Sequence, residues 1–219
     1  MTSFNTFLKV TRLMTNNSLI MKFVVLMLLV LSLTSCISRY QEPTNINDIC
    51  SIFEDNPRWY KAAKISSAKW GAPIHLPMAI MFQESRFKAK ARPPKRYTLG
   101  FIPRGRASDA YGYAQALKST WAEYENATNS SGNRTNFADA FDFIQWYMDV
   151  TFKRNNISKW DANAHYLNYH EGQGGYARGT HKSKQWLLNV AAKVTQRADV
   201  YAKQLTYCEP NFKNKRRYN

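Results

Sequence analysis

Most of the chain beyond residue 56 carries its apolar residues at the three- and four-residue spacing of an amphipathic helix. The clearest run follows Asn136 and consists of Phe137, Phe141, Ile144, Met148 and Phe152. This spacing places the side chains on one face of a helix, where they can form a core. No segment has the alternating pattern of a long strand. We therefore predict a domain that is all-α, or mostly α with a small strand element.

Capping residues predict where the helices begin and end. Asn56 with Pro57 predicts the start of one helix, and Gly71 predicts its end. Other helices are expected to start at Pro77, Thr120, Asn136, Ser158 and Ser183. Gly172 is expected to stop the helix that starts at Ser158. The last helix is expected to bury Trp186, Leu187, Val190, Val194 and Tyr201.

The N-terminal residues predict export. Lys22 precedes an apolar run from Phe23 to Leu33. That run is too short to span a bilayer core of about 30 Å, and it is typical of a signal peptide. Residues 33–36, Leu-Thr-Ser-Cys, resemble the bacterial lipobox, so Cys36 is predicted to carry lipid. An ordinary signal peptide with a cysteine at that position is the alternative.

These features divide the chain into four predicted segments. Residues 1–35 are a signal peptide, with Met21 as a candidate start codon. Residues 36–54 are the lipidated N-terminus and a tether, residues 55–207 the folded domain, and residues 208–219 a basic tail. The chain has three cysteines, an odd number that needs an explanation in an exported protein.

If Cys36 carries lipid, Cys50 and Cys208 remain, one at each end of the predicted domain. An oxidising compartment allows these two residues to form a disulfide. Two free thiols are the alternative.

The formal net charge of the chain is +16, from 31 Lys and Arg against 15 Asp and Glu. Removal of residues 1–35 takes away three basic residues and no acidic one, so the mature charge is +13. This balance favours a polyanionic partner. Because export argues against nucleic acid, the charge points to an anionic polymer of the cell envelope.

A basic segment interrupts the helical pattern between residues 88 and 110. Its cations are Lys88, Lys90, Arg92, Lys95, Arg96, Arg104 and Arg106. Long irregular segments in compact domains are often functional, so this one is a candidate for shaping a substrate groove. A solvated insertion without substrate contact is the alternative.

Glu84 follows the apolar run of residues 78–82 by two positions, and Phe87 lies three positions further on. Apolar surroundings raise the pKa of a carboxyl group, which then donates a proton near neutral pH. Cleavage of a glycosidic bond needs such a donor, because the leaving oxygen must be protonated. Glu84 is therefore a candidate general acid, although a glutamate at a helix end is more often a solvated surface residue.

Two further segments combine glycine with aromatic and polar residues. Residues 111–121 read Tyr-Gly-Tyr-Ala-Gln-Ala-Leu-Lys-Ser-Thr-Trp, and residues 166–176 read Tyr-Leu-Asn-Tyr-His-Glu-Gly-Gln-Gly-Gly-Tyr. Glycine lets a backbone approach a ligand closely. Tyrosine side chains can both stack on sugars and form hydrogen bonds with them.

In this order, the segments resemble the motifs of the soluble lytic transglycosylase (SLT) family, whose domain has a goose-type lysozyme-like fold. Glu84-Ser85 is similar to the family's Glu-Ser pair. Residues 112–115 match its Gly-Leu-Met-Gln motif at the Gly and the Gln. Residues 168–172 match its Ala-Tyr-Asn-x-Gly motif at the Tyr and the Gly. The resemblance covers residues 55–205.

Two departures from the family pattern concern the site. Glu84 and Gln115 are separated by 31 positions, wider than is typical of the family, because the basic segment lies between them. His170 stands where the family has an asparagine.

The resemblance implies non-hydrolytic cleavage between N-acetylmuramic acid and N-acetylglucosamine, with a 1,6-anhydromuramoyl product. Glu84 would act first as general acid and then as base, assisted by the N-acetyl group of the substrate. Tyr169 would orient Glu84 or the substrate. The residues expected to bind the sugar are Ser85, Tyr113, Gln115, Tyr169, His170 and Glu171. The expected partners are peptidoglycan strands and, through the lipid anchor, the periplasmic face of the outer membrane, with no nucleic acid.

Three rival hypotheses remain at this stage. A hydrolytic muramidase would use Glu84 with a second carboxylate such as Asp109 or Glu171. An inactive wall-binding lipoprotein would keep the groove without catalysis. A metal site is disfavoured, because the five-residue spacing of His165 and His170 does not place both on one helical face. No cofactor or metal is therefore expected.

Overall fold

Seven helices lie within residues 42–214, and the computed structural model describes these residues together with residues 22–23. The helices are α1 (Ile49–Asp55), α2 (Pro57–Trp70), α3 (His75–Ser85), α4 (Lys118–Thr128), α5 (Phe137–Asn155), α6 (Ala162–Ala177) and α7 (Gln185–Lys213). Two antiparallel strands, β1 (Lys95–Thr98) and β2 (Ile102–Arg106), form a hairpin between α3 and α4. The prediction of a mostly α domain with a small strand element is confirmed.

The predicted boundaries of α2 and the predicted start of α5 agree with the structure. Asn56 precedes Pro57 at the start of α2, and Gly71 ends that helix with a φ of 86°. The side chain of Asn136 accepts hydrogen bonds from the first-turn amides of Ala138 and Asp139. Asn56 makes no side-chain capping hydrogen bond, so the start of α2 is marked by Pro57 at its first position, whereas Asn136 caps α5 through its near neighbours.

Other predicted starts were wrong by two to four residues. Helices α3, α4 and α7 begin two residues before Pro77, two before Thr120 and two after Ser183. Asp161 caps α6 through a 2.9 Å hydrogen bond from the amide of Ala164, so Ser158 lies outside that helix. Gly172 does not stop α6 but bends it, with a φ of 72° and a ψ of 155°.

The apolar side chains of α3 are buried between α5 and α7, and α7 also packs against α1 and α6. An aromatic stack extends this core from α2 to α5. The rings of Trp59 and Phe137 lie parallel with centroids 4.0 Å apart, and Tyr113 packs edge-on against both. Helix α3 is therefore held on both sides, which fixes the position of its last turn.

Asp142 of α5 ties three helices together. Its carboxylate accepts hydrogen bonds from Ser66 and Trp70 of α2, at 2.8 and 2.9 Å, and from Tyr124 of α4 at 2.8 Å. Burial by itself would raise the pKa of Asp142, but these hydrogen bonds, together with one from Lys69, hold that pKa below its ordinary value. The carboxylate therefore stays ionised and satisfied inside the scaffold.

The predicted domain limits of 55 and 207 were too narrow. Residues 49–54 belong to α1 rather than to a tether, and Ile49, Ile52 and Phe53 are fully buried. At the other end, α7 continues to Lys213 and buries Phe212. Cys50 and Cys208 form a disulfide with Cα atoms 5.9 Å apart, which joins the first helix to the last.

Cys36 and residues 24–41 lie outside the described residues, as do residues 1–21 and 215–219. Within the part of the chain that is described, no helix has the length and apolar character needed to cross a membrane.

Candidate active site

Glu84 lies in the last turn of α3, immediately before a sharp change of chain direction. Ser85 is the last helical residue, and Arg86 and Phe87 follow with φ values of 51° and 59°. Two consecutive non-glycine residues in the left-handed region are unfavourable. The turn buries the ring of Phe87 in the core, and this packing offsets the cost. The helix therefore ends one residue after Glu84 by tertiary packing rather than by a glycine.

The environment of Glu84 suits a proton donor. The preceding residues of α3 from Met78 to Met81 are buried, whereas Glu84 keeps part of its surface exposed. Burial raises the pKa of Glu84 to about 7, against a hydrogen bond from Tyr166 that lowers it. A carboxyl group with a pKa near 7 is partly protonated at neutral pH and can serve as both acid and base.

Two tyrosines of α6, one helical turn apart, connect Glu84 to the rest of the site. Tyr166 donates its hydroxyl hydrogen bond to the carboxylate of Glu84. Tyr169 donates to the carbonyl oxygen of Ala114 at 2.6 Å. Burial and the nearby charge of Glu84 raise the pKa of both hydroxyls, so both remain protonated donors.

The loop of residues 111–116 is held by hydrogen bonds within itself and to Ala91. Its ends pair through Tyr111 and Ala116, and the amide of Gly112 donates to the carbonyl of Ala91 at 3.0 Å. The side-chain amide of Gln115 donates at 2.9 Å to the carbonyls of Ala91 and Gly112. Gln115 itself has a φ of 47°. Gln115 therefore holds the loop closed and fixes it to the segment that follows Glu84.

These contacts bring the three predicted motifs together, although 82 positions separate Glu84 from Tyr166. The first motif contacts the third through Glu84 and Tyr166, and the third contacts the second through Tyr169 and Ala114.

A family model described as Transglycosylase SLT domain matches residues 24–208. The chain belongs to the SLT transglycosylase family. No curated protein and no solved structure matched it.

Membership of the SLT family gives the chain a transglycosylase-type enzyme domain that processes peptidoglycan. The mostly α, lysozyme-like fold expected from the motifs is confirmed by this match and by the helical structure.

Two of the predicted sugar-binding residues of this SLT domain are turned away from the solvent. The Ser85 hydroxyl donates to the carbonyl of Met81 at 3.2 Å, within its own helix. Tyr113 is 1% exposed and packs against Trp59 and Phe137. The expectation that Tyr113 contacts the sugar is therefore corrected, because its ring is part of the core under the loop.

The carboxylate of Glu171 is hydrogen-bonded to neighbouring side chains. Its carboxylate accepts hydrogen bonds from Lys184 at 2.7 and 2.8 Å, from Thr180 and from His170 at 3.1 Å. The bonds from Lys184 and then Thr180 lower the pKa of Glu171 to about 2. The side chain is only 5% exposed. Glu171 therefore braces the chain beyond the bend at Gly172 and does not offer a free carboxylate to a sugar.

His170 remains exposed and lies against an aromatic residue that the sequence pattern assigned to the core. The ring of His170 packs edge-on against Trp186, with centroids 5.1 Å apart. Trp186 is 56% exposed, so the expectation that it is buried was wrong. An exposed indole beside a motif residue is a candidate surface for stacking a sugar ring.

The two site residues that sequence patterns did not single out are Tyr166 and Trp186. Tyr166 opens the third motif segment, and its spacing of three from Tyr169 places both on one face of α6. That spacing was the available signal. Among the described residues, no group of three or more His, Cys, Asp or Glu side chains is arranged to hold a metal ion.

Proposed function

We propose that this SLT domain is a lytic transglycosylase that cleaves the bond between N-acetylmuramic acid and N-acetylglucosamine without water. The observation that carries the proposal is the raised pKa of Glu84 together with its hydrogen bond from Tyr166. Its pKa of about 7 and its hydrogen bond from Tyr166 suit a group that first gives and then regains a proton. The structural arrangement supports one acid–base residue rather than a pair of carboxylates.

In the first step, protonated Glu84 gives its proton to the glycosidic oxygen as the bond from that oxygen to muramoyl C1 breaks. The carbonyl oxygen of the 2-acetamido group of the same sugar forms a bond to C1 and takes up the developing positive charge. The N-acetylglucosamine end leaves with a free hydroxyl. Tyr166 stabilises the carboxylate that Glu84 becomes.

In the second step, the Glu84 carboxylate removes the proton from the muramoyl C6 hydroxyl. The C6 oxygen then bonds to C1, and the acetamido oxygen is released from C1. The product is a 1,6-anhydromuramoyl end, and Glu84 is again protonated. No water enters the balance, so the site needs no second carboxylate to activate one.

A hydrolytic muramidase is the rival, and it requires a second carboxylate beside the reacting carbon. Glu171 is held by Lys184 and Thr180, and its pKa of about 2 keeps it ionised in that ion pair. Asp109 is exposed and accepts a 3.3 Å hydrogen bond from the amide of Lys118 at the start of α4. Both carboxylates have structural partners, which favours the transglycosylase.

The proposal includes the cellular location. An enzyme of glycan strands needs to reach the cell wall, and the sequence Leu-Thr-Ser-Cys at residues 33–36 would attach it by lipid at Cys36. Ile37 and Ser38 carry no acidic retention signal, which favours the outer membrane with the domain facing the periplasm. The disulfide between Cys50 and Cys208 fits an oxidising compartment.

Digestion of purified sacculi followed by mass spectrometry of the products tests the proposal. Wild-type protein is expected to release 1,6-anhydromuramoyl ends, and Glu84→Gln is expected to release none. Glu123→Gln is the matched control, because Glu123 is an exposed glutamate of α4, and its activity should equal that of wild type.

Other products would contradict specific parts of the proposal. Reducing muramic acid ends would identify a muramidase. Equal clearing of sacculi by wild type and Glu84→Gln would show that Glu84 is not the acid. Binding of sacculi without any product would identify a wall-binding protein.

A further inference from the structure

The hairpin of β1 and β2 stands out from the rest of the domain. All of its strand residues are exposed except Thr98, which is half-buried. At its base, Arg106 donates a hydrogen bond to the carbonyl of Pro93. The segment that leads into it is fixed, through the carbonyl of Ala91, to the loop of residues 111–116, which we call the active-site loop. The hairpin is therefore an ordered projection mounted beside the catalytic site.

The end of the hairpin exposes large apolar side chains. Leu99 is 77% exposed and Phe101 is 72% exposed, and Tyr97 and Ile102 beside them are 52% and 45% exposed. We call Leu99, Gly100 and Phe101 the hairpin tip. Contiguous apolar side chains in such a position mark a contact surface more often than single exposed residues do.

The backbone of the hairpin tip strengthens this interpretation. Phe101 donates to the carbonyl of Thr98, and the two central residues of this turn, Leu99 and Gly100, have φ values of 52° and 78°. Asparagine or aspartate followed by glycine is the favoured pair for such a turn. A leucine in the left-handed region is unfavourable, and the Leu99 side chain is largely exposed to solvent. The turn itself does not require this side chain.

The charge around the hairpin tip is of one sign. Residues 88–108 contain seven Lys and Arg and no Asp or Glu. An apolar tip flanked along the chain by cations matches the chemistry of an anionic bilayer, in which negative headgroups cover the apolar acyl chains.

We propose that the hairpin is a membrane contact, in which Leu99 and Phe101 enter the apolar edge of a bilayer and the Lys and Arg side chains of β1 and β2 bind anionic lipid headgroups. Glycan would be a poorer occupant, because it could stack on the rings of Tyr97 and Phe101 but not on the aliphatic side chains of Leu99 and Ile102, whereas acyl chains accommodate all four. The contact would hold the active-site loop at a fixed distance from the membrane, since Ala91 joins the hairpin base to Gln115.

A soluble protein of residues 41–219 tests the proposal without a lipid anchor. Within this range, the described residues 42–214 belong to one compact unit, which contains the disulfide and all the buried residues of the described domain. The measurement is co-sedimentation with vesicles of phosphatidylcholine alone and of phosphatidylcholine mixed with phosphatidylglycerol. Wild type is expected to bind the mixed vesicles and not the neutral ones, with binding that weakens as salt is raised.

The double variant Leu99→Asn, Phe101→Ser removes the apolar tip and gives the turn its favoured Asn-Gly pair, so folding is retained. Its affinity for the mixed vesicles is expected to fall by about tenfold or more. Ile65→Ser is the matched control, because Ile65 is 61% exposed on α2, and its binding should be unchanged. Clearing of sacculi by the double variant should equal that of wild type.

Several results would overturn the membrane contact. The first is that wild type does not bind the mixed vesicles. The second is that the double variant binds them as well as wild type does. The third is that the double variant loses binding to sacculi while its binding to vesicles is intact. The last result would assign the hairpin to the glycan. Glu84→Gln is expected to bind vesicles as wild type does, so failure of the catalytic proposal and failure of this one are separate observations.

Discussion

Two opposing effects set the pKa of Glu84. Its apolar surroundings raise the carboxyl pKa, whereas the Tyr166 hydroxyl favours the ionised form. A reaction that uses one carboxyl as acid and then as base needs a pKa between the extremes, and the balance of the two influences supplies it.

The variant Tyr166→Phe tests this balance. Removal of the hydroxyl takes away a hydrogen bond that stabilises the charged form, so the pKa of Glu84 rises above about 7. In the proposed mechanism the initial rate of sacculus cleavage depends on protonated Glu84, so we expect this rate to fall at high pH. We expect this alkaline limit to move up by roughly half to one pH unit in the variant.

Tyr169→Phe is the control for that experiment, since its hydroxyl donates to Ala114 rather than to Glu84. We expect a lower rate with a smaller change in the alkaline limit. An equal displacement of the limit in both variants would mean that Tyr166 has no specific effect on Glu84.

Glu84 is also expected to reduce the stability of the domain. Its folded-state pKa of about 7 lies above the ordinary value of 4.5, so the folded state holds its proton more tightly than the unfolded chain. Stability is therefore lost as the pH rises through this window. We expect Glu84→Gln to be more stable than wild type at pH 8 by roughly 1–3 kcal/mol, with the difference vanishing near pH 4.

Urea unfolding of both proteins at the two pH values measures this difference. Glu123→Gln again serves as the control, with equal stability expected at each pH because the residue is exposed. A difference between wild type and Glu84→Gln that does not change with pH would contradict the raised pKa.

The loop of residues 111–116 is the element whose position depends most on a glycine. Gly112 has a φ of 80°, and a Cβ atom there would lie 2.0 Å from the carbonyl oxygen of Arg134. That oxygen also accepts the amide of Tyr113 at 3.1 Å. A side chain at position 112 would therefore push the loop, with Gln115, away from the start of α5.

Gly112→Ala is expected to destabilise the domain by about 2–4 kcal/mol and to lower the rate of sacculus cleavage. Gly105→Ala is the matched control. Gly105 has a similar φ of 82°, but no atom lies within 4 Å of the added Cβ. Its loss should be only about 1 kcal/mol, from the backbone conformation. Equal losses in urea unfolding would show that the contact with Arg134 is unimportant.

The helical elements show what local rules can and cannot supply. Asn136 caps α5 through its own neighbours, so its start was predictable. The end of α3 depends on the burial of Phe87 against distant side chains, with no glycine to mark it. The hairpin was predicted only as a basic segment, because proline and glycine obscured the strand pattern within it.

At the scale of the whole domain, the disulfide joins residues 158 positions apart and fixes α1 to α7. Closing so long a loop restricts the unfolded chain, and loop-entropy theory gives a stabilisation of about 5 kcal/mol as an upper value. We expect a reductant to lower the urea midpoint of wild type. The double variant Cys50→Ser, Cys208→Ser should have a low midpoint that a reductant does not change. A wild-type midpoint that is insensitive to complete reduction would contradict this role.

The sequence by itself determined the helical class and the three motifs, and it singled out Glu84 as the candidate general acid. Helical periodicity, capping and motif order are properties of near neighbours along the chain, so they can be read without the fold. The match over residues 24–208 agrees with that reading at the level of the family.

Only the tertiary structure decided which side chains meet. It placed Tyr166 rather than Tyr169 on Glu84, tied Glu171 to Lys184, and left Trp186 exposed. It also packed residues 49–54 into the domain and presented the hairpin tip to solvent. These outcomes depend on contacts between residues far apart in sequence, and a one-dimensional pattern does not encode which neighbours a folded chain will provide.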